Sequence, residues 1–138
     1  MTAKEYLSQA YQIDKRIRLK LEQVASLGDL STRATSALTG MPRPATRNVH
    51  RMEDVIVKMA DLEDEIQGDI DRLVDLKREI NECIASVSNE RCRFLLESRY
   101  LSFRQWPDIA DDMDCSMDNI FKLHKKALEE VEGIKRLQ

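Results

Sequence analysis

A chain of 138 residues that is 42% hydrophobic and 34% charged, with 5% aromatics and four glycines, suits long amphipathic helices better than a sheet protein. Its formal net charge of -3 excludes whole-molecule attraction to nucleic acid, so any DNA contact has to come from a local patch. Cys83, Cys92 and Cys115 show no Cys-x-x-Cys spacing and no paired histidines, which speaks against zinc and fits a reducing compartment.

The opening residues, Met1 to Tyr6, contain no apolar run of signal-peptide type, and no later segment has the apolar length to span a bilayer. The expectation is a cytoplasmic protein with no membrane partner. Thr2 and Glu5 have the spacing of a capping box, and a helix is expected over residues 3–27. Its seam steps by four and three through Ala3, Leu7, Ala10, Asp14, Ile17, Leu21 and Val24. Gly28 is placed to end it. Residues 28–48 read as a linker punctuated by Gly28, Gly40, Pro42 and Pro44, with Arg33, Arg43 and Arg47 and no acid from Ser31 to Asn48. Such a stretch is either an arginine-solubilised connector or a phosphate contact.

A second helix is expected over residues 49–87, about 60 Å long at the usual rise. Its seam is Val49, Met52, Ile56, Met59, Glu63, Ile66, Ile70, Leu73, Lys77, Ile80, Ile84 and Val87, flanked by Val55, Leu62, Leu76 and Cys83. Packed antiparallel, helices 3–27 and 49–87 form a coiled-coil-like hairpin over residues 1–88. The longer helix then has apolar positions such as Ile66, Ile70 and Leu73 that its partner cannot reach. The C-terminal domain or a second copy of the chain, making a homodimer, would cover them.

Residues 89–138 form the second expected domain. Phe94, Leu95, Tyr100 and Leu101 give one helix its apolar side, and Phe103 and Trp106 read as core. Ile109 and Met113 are four apart with small Ala110 between them, a polar break follows at Asp114 to Ser116, and Ile120, Leu123, Ala127 and Leu128 begin a new series. That is a short helix, a tight turn and a longer helix, the helix-turn-helix unit. Pro107 suits the first turn of the short helix. Asp114 stands where glycine is usual and tolerates left-handed dihedrals, and Ser116 can cap the next helix.

This segment resembles the final helical domain of bacterial sigma factors. The likeness rests on Leu95-Leu96 and Arg99-Tyr100 before the unit, Asp108-Ile109-Ala110 inside it, Ser116 at the cap, and Lys126-Ala127-Leu128 near its end. With the heptad-rich N-terminal half and Asn48-Val49-His50-Arg51-Met52-Glu53, the whole chain is similar to small sigma-like transcriptional regulators of phages and prophages of Gram-positive bacteria. The resemblance implies an all-α protein that binds double-stranded DNA at phage or prophage promoters, with host RNA polymerase as partner. If Ser116 caps the reading helix, the base-facing residues are Met117, Asp118, Asn119, Phe121 and Lys122. Arg104, Ser116, Lys125 and Lys126 are then expected at phosphates. Met117 and Phe121 stand where the resembled domains commonly carry arginine, which implies apolar contact with thymine methyls or loss of autonomous reading.

The chain shows no Gly-rich phosphate loop, no paired-histidine metal motif and no nucleophile elbow, and His50 and His124 are isolated. No catalytic residue, cofactor, metal or small-molecule substrate is expected. From Asn89 to Gln138 there are nine basic and ten acidic residues, so even the second domain is near neutral. That balance keeps a second reading open, a helical interaction module whose helix-turn-helix is only a packing unit.

Overall fold

The structure, a computed structural model, describes residues 1–38 and 45–136, with side-chain surroundings for 1–33 and 50–136. The protein is all-α, and no strand occurs among the described residues. The elements are α1 (Ala3–Leu38), α2 (Ala45–Ala85), α3 (Glu90–Leu96), a π-helical segment (Glu97–Leu101), α4 (Trp106–Asp112) and α5 (Met117–Arg136). Gly40, Pro42, Arg43, Pro44 and Leu137, and the side chains of Arg47 and Val49, lie outside the described residues.

The capping box forms at the start of α1. Thr2 N donates to Glu5 Oε2 at 3.1 Å and Glu5 N to Thr2 Oγ1 at 3.2 Å. Gly28, expected to stop α1, sits inside it, and the helix continues ten residues past it to Leu38. A mid-helix glycine costs only about 1 kcal/mol. Leu27 and Ser31 stay half-buried on either side of it, so the inward stripe is not interrupted. No proline occurs before Pro42 to break the helix.

Packing groups the chain into two compact units, Lys15–Arg72 and Met1–Asp14 with Leu73–Gln138. This grouping differs from the segments 1–88 and 89–138 expected from the sequence. It puts the C-terminal end of α2 with the shorter helices.

In the unit Lys15–Arg72, α1 packs against α2 in the antiparallel sense, with Lys20 beside Glu65 and Asp69. The inward stripe of α1 runs Ile17, Lys20, Val24, Leu27, Ser31, and that of α2 runs Met52, Val55, Met59, Leu62, Ile66, Asp69. Both step by three and four, but only part of each coincides with the expected seam. Leu21, Ile56, Glu63 and Ile70, placed on the seam from the sequence, are exposed, while Val55 and Leu62 from the flanking row face inward. Two adjacent apolar columns satisfy the same heptad spacing, and spacing alone does not choose between them. The column chosen sets Lys20 Nζ against Asp69 Oδ2 at 2.7 Å, with Arg72 Nη1 3.7 Å from the other oxygen. Asp69 is 6% exposed, the one buried carboxylate of the described core.

In the other unit, Leu7, Ile80, Ile84, Leu95, Leu96, Ile109, Ile120 and Val131 are wholly inaccessible and belong to one cluster. Here the expected seam residues Leu7 and Ile84 are buried, because α3 and α5 supply core on that side. Phe94, expected on the apolar side of its helix, is 44% exposed, and Leu96 takes the inward position instead. The tail of α5 packs back on the unit. Ala3 N donates to Glu132 Oε1, and the Lys135 ammonium stands 4.0 Å from the Tyr6 ring centroid.

Candidate nucleic-acid interface

The helix-turn-helix is built as the residue types dictate. Gln105 is the extended residue before α4, and Pro107 lies in its first turn, where a missing N–H leaves no bond unmade. At the other end, Cys115 N donates to Ala110 O at 3.0 Å and Asp114 N to Asp111 O at 3.2 Å. This pair of bonds is a Schellman closure, and Asp114 occupies its left-handed position with φ 52°. Ser116 then starts α5, its Oγ accepting from Asn119 N at 3.3 Å. Ile109, Ala110 and Ile120 are buried where α4 crosses α5, and a side chain larger than Ala110 would hold the helices apart.

Asp114 is the weak point of the turn. A side chain in the left-handed region costs about 1 kcal/mol relative to glycine, and its carboxylate adds to Asp111 and Asp112 at the negative end of the α4 dipole. Asp114→Gly should raise stability by about 1 kcal/mol, read as a higher urea midpoint at unchanged slope.

The exposed face of α5 collects Asp118, Lys122, Lys125 and Lys126, with Asn119 at one edge and Met117 and Phe121 at the other. Met117 is 37% and Phe121 47% exposed. The Phe121 ring leans on Trp106, centroids 5.5 Å apart, so its outward edge is held rather than free to rotate. Ser116 and Arg104 are exposed as well, but they stand differently toward phosphate. Ser116 Oγ accepts the cap bond and keeps its O–H as a donor. Arg104 is ion-paired with Asp112, which neutralises the charge assigned to a phosphate contact. Residues 106–116 contain four aspartates and no lysine or arginine. Apart from the paired Arg104, and Arg91, whose Nη2 donates to Cys115 Sγ in the turn, the positive charge of this surface lies on α5.

Behind this face lies a buried polar pair. His124, 8% exposed, meets Tyr100 Oη through Nε2 at 2.6 Å and packs its ring against Trp106 at 4.6 Å. Burial, with Lys4 and Arg99 nearby, pushes His124 down to about 4. Burial likewise pushes Tyr100 up to about 12, against a lowering effect of Arg99. Both groups are therefore neutral at pH 7. Sequence reading left His124 as an isolated histidine, since 24 residues separate it from Tyr100 and no local spacing announces the pair. Two further features had no signal in the sequence, the π-helical segment and Phe103 at φ 56°. Among the described residues no cluster of His, Cys, Asp or Glu could hold a metal ion, and no helix is long and apolar enough to cross a membrane.

The architecture is that of a helix-turn-helix protein with a long helical hairpin ahead of the motif. A family model, DUF1492, described as a protein of unknown function, matches residues 45–132. That span takes in α2, the whole helix-turn-helix and most of α5, more than half of the chain, and the protein belongs to this family. No curated protein and no solved structure matches the chain.

Proposed function

We propose that the chain is a sequence-specific DNA-binding transcriptional regulator of sigma-like type, controlling phage or prophage genes with host RNA polymerase as a partner. The observation that carries this reading is the start of α5. A capped helix follows a Schellman turn and offers Asn119, Lys122, Lys125 and Lys126 on its exposed side. Helix-turn-helix readers place the N-terminal residues of their second helix against base edges. Asn119 has the amide for bidentate pairing with adenine, and Lys122 can donate to guanine. Lys125 and Lys126 follow at phosphate height.

The four aspartates of residues 106–116 favour a second reading, a helical interaction module, because the first helix of such a unit normally crosses the phosphate backbone. A salt titration on random duplex separates the two. Two phosphate contacts from α5, Lys125 and Lys126, give a log–log slope of about -2. Absence of binding even at low salt supports the module.

Self-association belongs to the same proposal. Of the positions expected to need cover, Ile66 is buried at 6% exposure and Leu73 is half-buried, whereas Ile70 is 38% exposed; with Leu21 and Ile56 at 51% and 56%, it is what a two-fold partner would cover. Sedimentation at micromolar concentration should show a dimer. A single 16.0 kDa species would contradict this.

A further inference from the structure

The unit containing the helix-turn-helix has a recess that neither the DNA reading nor the dimer uses. It has a volume of about 100 Å³ and opens to solvent between the start of α1 and the loop that leads into α4. Tyr11, Phe103 and Trp106 supply aromatic walls, and Lys4 and Arg99 supply charge. The remaining lining is Ser8 and Tyr100, so the polar groups there are hydroxyls, cations and the Trp106 indole N–H, and none is an acid.

The charge in the recess is not cancelled from within. Arg99 donates through Nη1 to Arg104 O at 3.0 Å, and its Cζ lies 4.6 Å from the Trp106 ring centroid. A guanidinium has five N–H donors, and these contacts involve one of them. Lys4 has no carboxylate partner among the described residues. A third cation, Lys77, stands 4.7 Å from the Phe103 ring centroid. The positive field reaches the next layer, since after burial Lys4 and Arg99 are what hold His124 low.

The backbone at this place is also under strain. The segment Glu97–Leu101 is wound as a π-helix, a form that often marks functional positions. Two residues on, Phe103 is held at φ 56°, a conformation unfavourable for a bulky side chain. The Arg104 N to Ser98 O bond at 2.9 Å closes the loop, and the Phe103 ring is set edge-on to Tyr11 at 5.6 Å. Strain of this kind persists only where the surroundings fix it, and here it forms one wall of the recess.

We propose that the recess binds a small aromatic carboxylate, with its ring among Tyr11, Phe103 and Trp106 and its carboxylate between Lys4 and Arg99. Each half of such a ligand meets matching chemistry, a planar apolar body against aromatic faces and an anion against two cations. The lining shares no residue with the exposed face of α5, though Trp106 backs the Phe121 ring there.

Trp106 is the only tryptophan of the chain, so its fluorescence reports on this wall of the recess with no other indole contributing. Titrating the full chain with benzoate at constant ionic strength should give a saturable change in emission. Benzamide, which keeps the ring and lacks the charge, and acetate, which keeps the charge and lacks the ring, should each bind at least about tenfold more weakly. Lys4→Gln is an exposed change in the first turn of α1 and should leave the unfolding midpoint unchanged while weakening benzoate about tenfold. Arg99→Gln should weaken benzoate to a similar degree in a second variant, with the unfolding midpoint lowered by loss of its bond to Arg104 O and its stack on Trp106. No saturable response to benzoate overturns the proposal. So does equal binding of benzamide or acetate, or full affinity in a folded Lys4→Gln protein.

Discussion

Replacing Lys20 with leucine should destabilise the protein by about 3 kcal/mol, although leucine is the better hydrophobe and the site lies on a coiled-coil stripe. The reason lies across the interface. Asp69 is 6% exposed, and its nearest cation is the Lys20 ammonium at 2.7 Å. Without Lys20, the carboxylate keeps only Arg72 at 3.7 Å, on a side chain that is 64% exposed and spends its charge largely in water. Breaking a buried pair from one side strands a charge, whereas removing both sides together does not. Lys20→Leu with Asp69→Leu should therefore recover most of the lost stability or exceed it. Chemical denaturation of the single and double variants measures both. A buried pair on a heptad stripe commonly fixes register, so the double variant should gain stability at the expense of a single α1–α2 alignment. Cysteine cross-linking between the helices reads that alignment. A double variant as unstable as Lys20→Leu would contradict this account of the pair.

Acidification should weaken the docking of α5 before most carboxylates titrate. His124 has a folded value near 4 against an ordinary 6.5, because burial, Lys4 and Arg99 all oppose its charged form. Between those two values the unfolded chain binds more protons than the folded one, so stability rises with pH across the window. The contribution is fully present above about 6.5 and is lost as pH falls toward 4, amounting to about 2 kcal/mol at pH 5. His124→Gln retains an amide that can bond Tyr100 Oη and does not titrate. It should flatten the stability profile between pH 6.5 and 5, as followed by urea unfolding. An unchanged profile in that variant would mean that another group controls the window. The effect bears on function through position, since His124 is on the buried side of the helix that carries Asn119 and Lys122.

Much of the architecture is readable from local chemistry. Thr2 and Glu5 form their reciprocal cap, Pro107 lies in a first turn, Asp114 adopts the left-handed angle the turn needs, and Ser116 caps α5. Each is decided by residues within four positions of one another, so sequence spacing contains the information. What the sequence does not disclose is decided at a distance. The choice between the Leu21–Ile70 column and the Lys20–Asp69 column depends on which face of α1 meets α2, and both columns have the same period. Gly28 reads as a stop until Leu27 and Ser31 are seen to continue the stripe around it. The exposed face of α5 follows from Ile120, Leu123 and Ala127 marking the opposite side, and the residues singled out from the sequence do lie there. The neutralisation of Arg104 by Asp112 and the burial of His124 against Tyr100 are contacts between elements, with no trace in spacing.

The central claim is that α5 reads DNA sequence, and selection of binding sites from a random duplex pool by the purified chain tests it most directly. An enriched motif should appear. On that motif Asn119→Ala should cost about 1–3 kcal/mol with little effect on random duplex, whereas Lys125→Ala should weaken both alike. Failure to enrich any sequence at low salt, or unchanged affinity for the selected site after mutating Asn119 and Lys122 together, would contradict it.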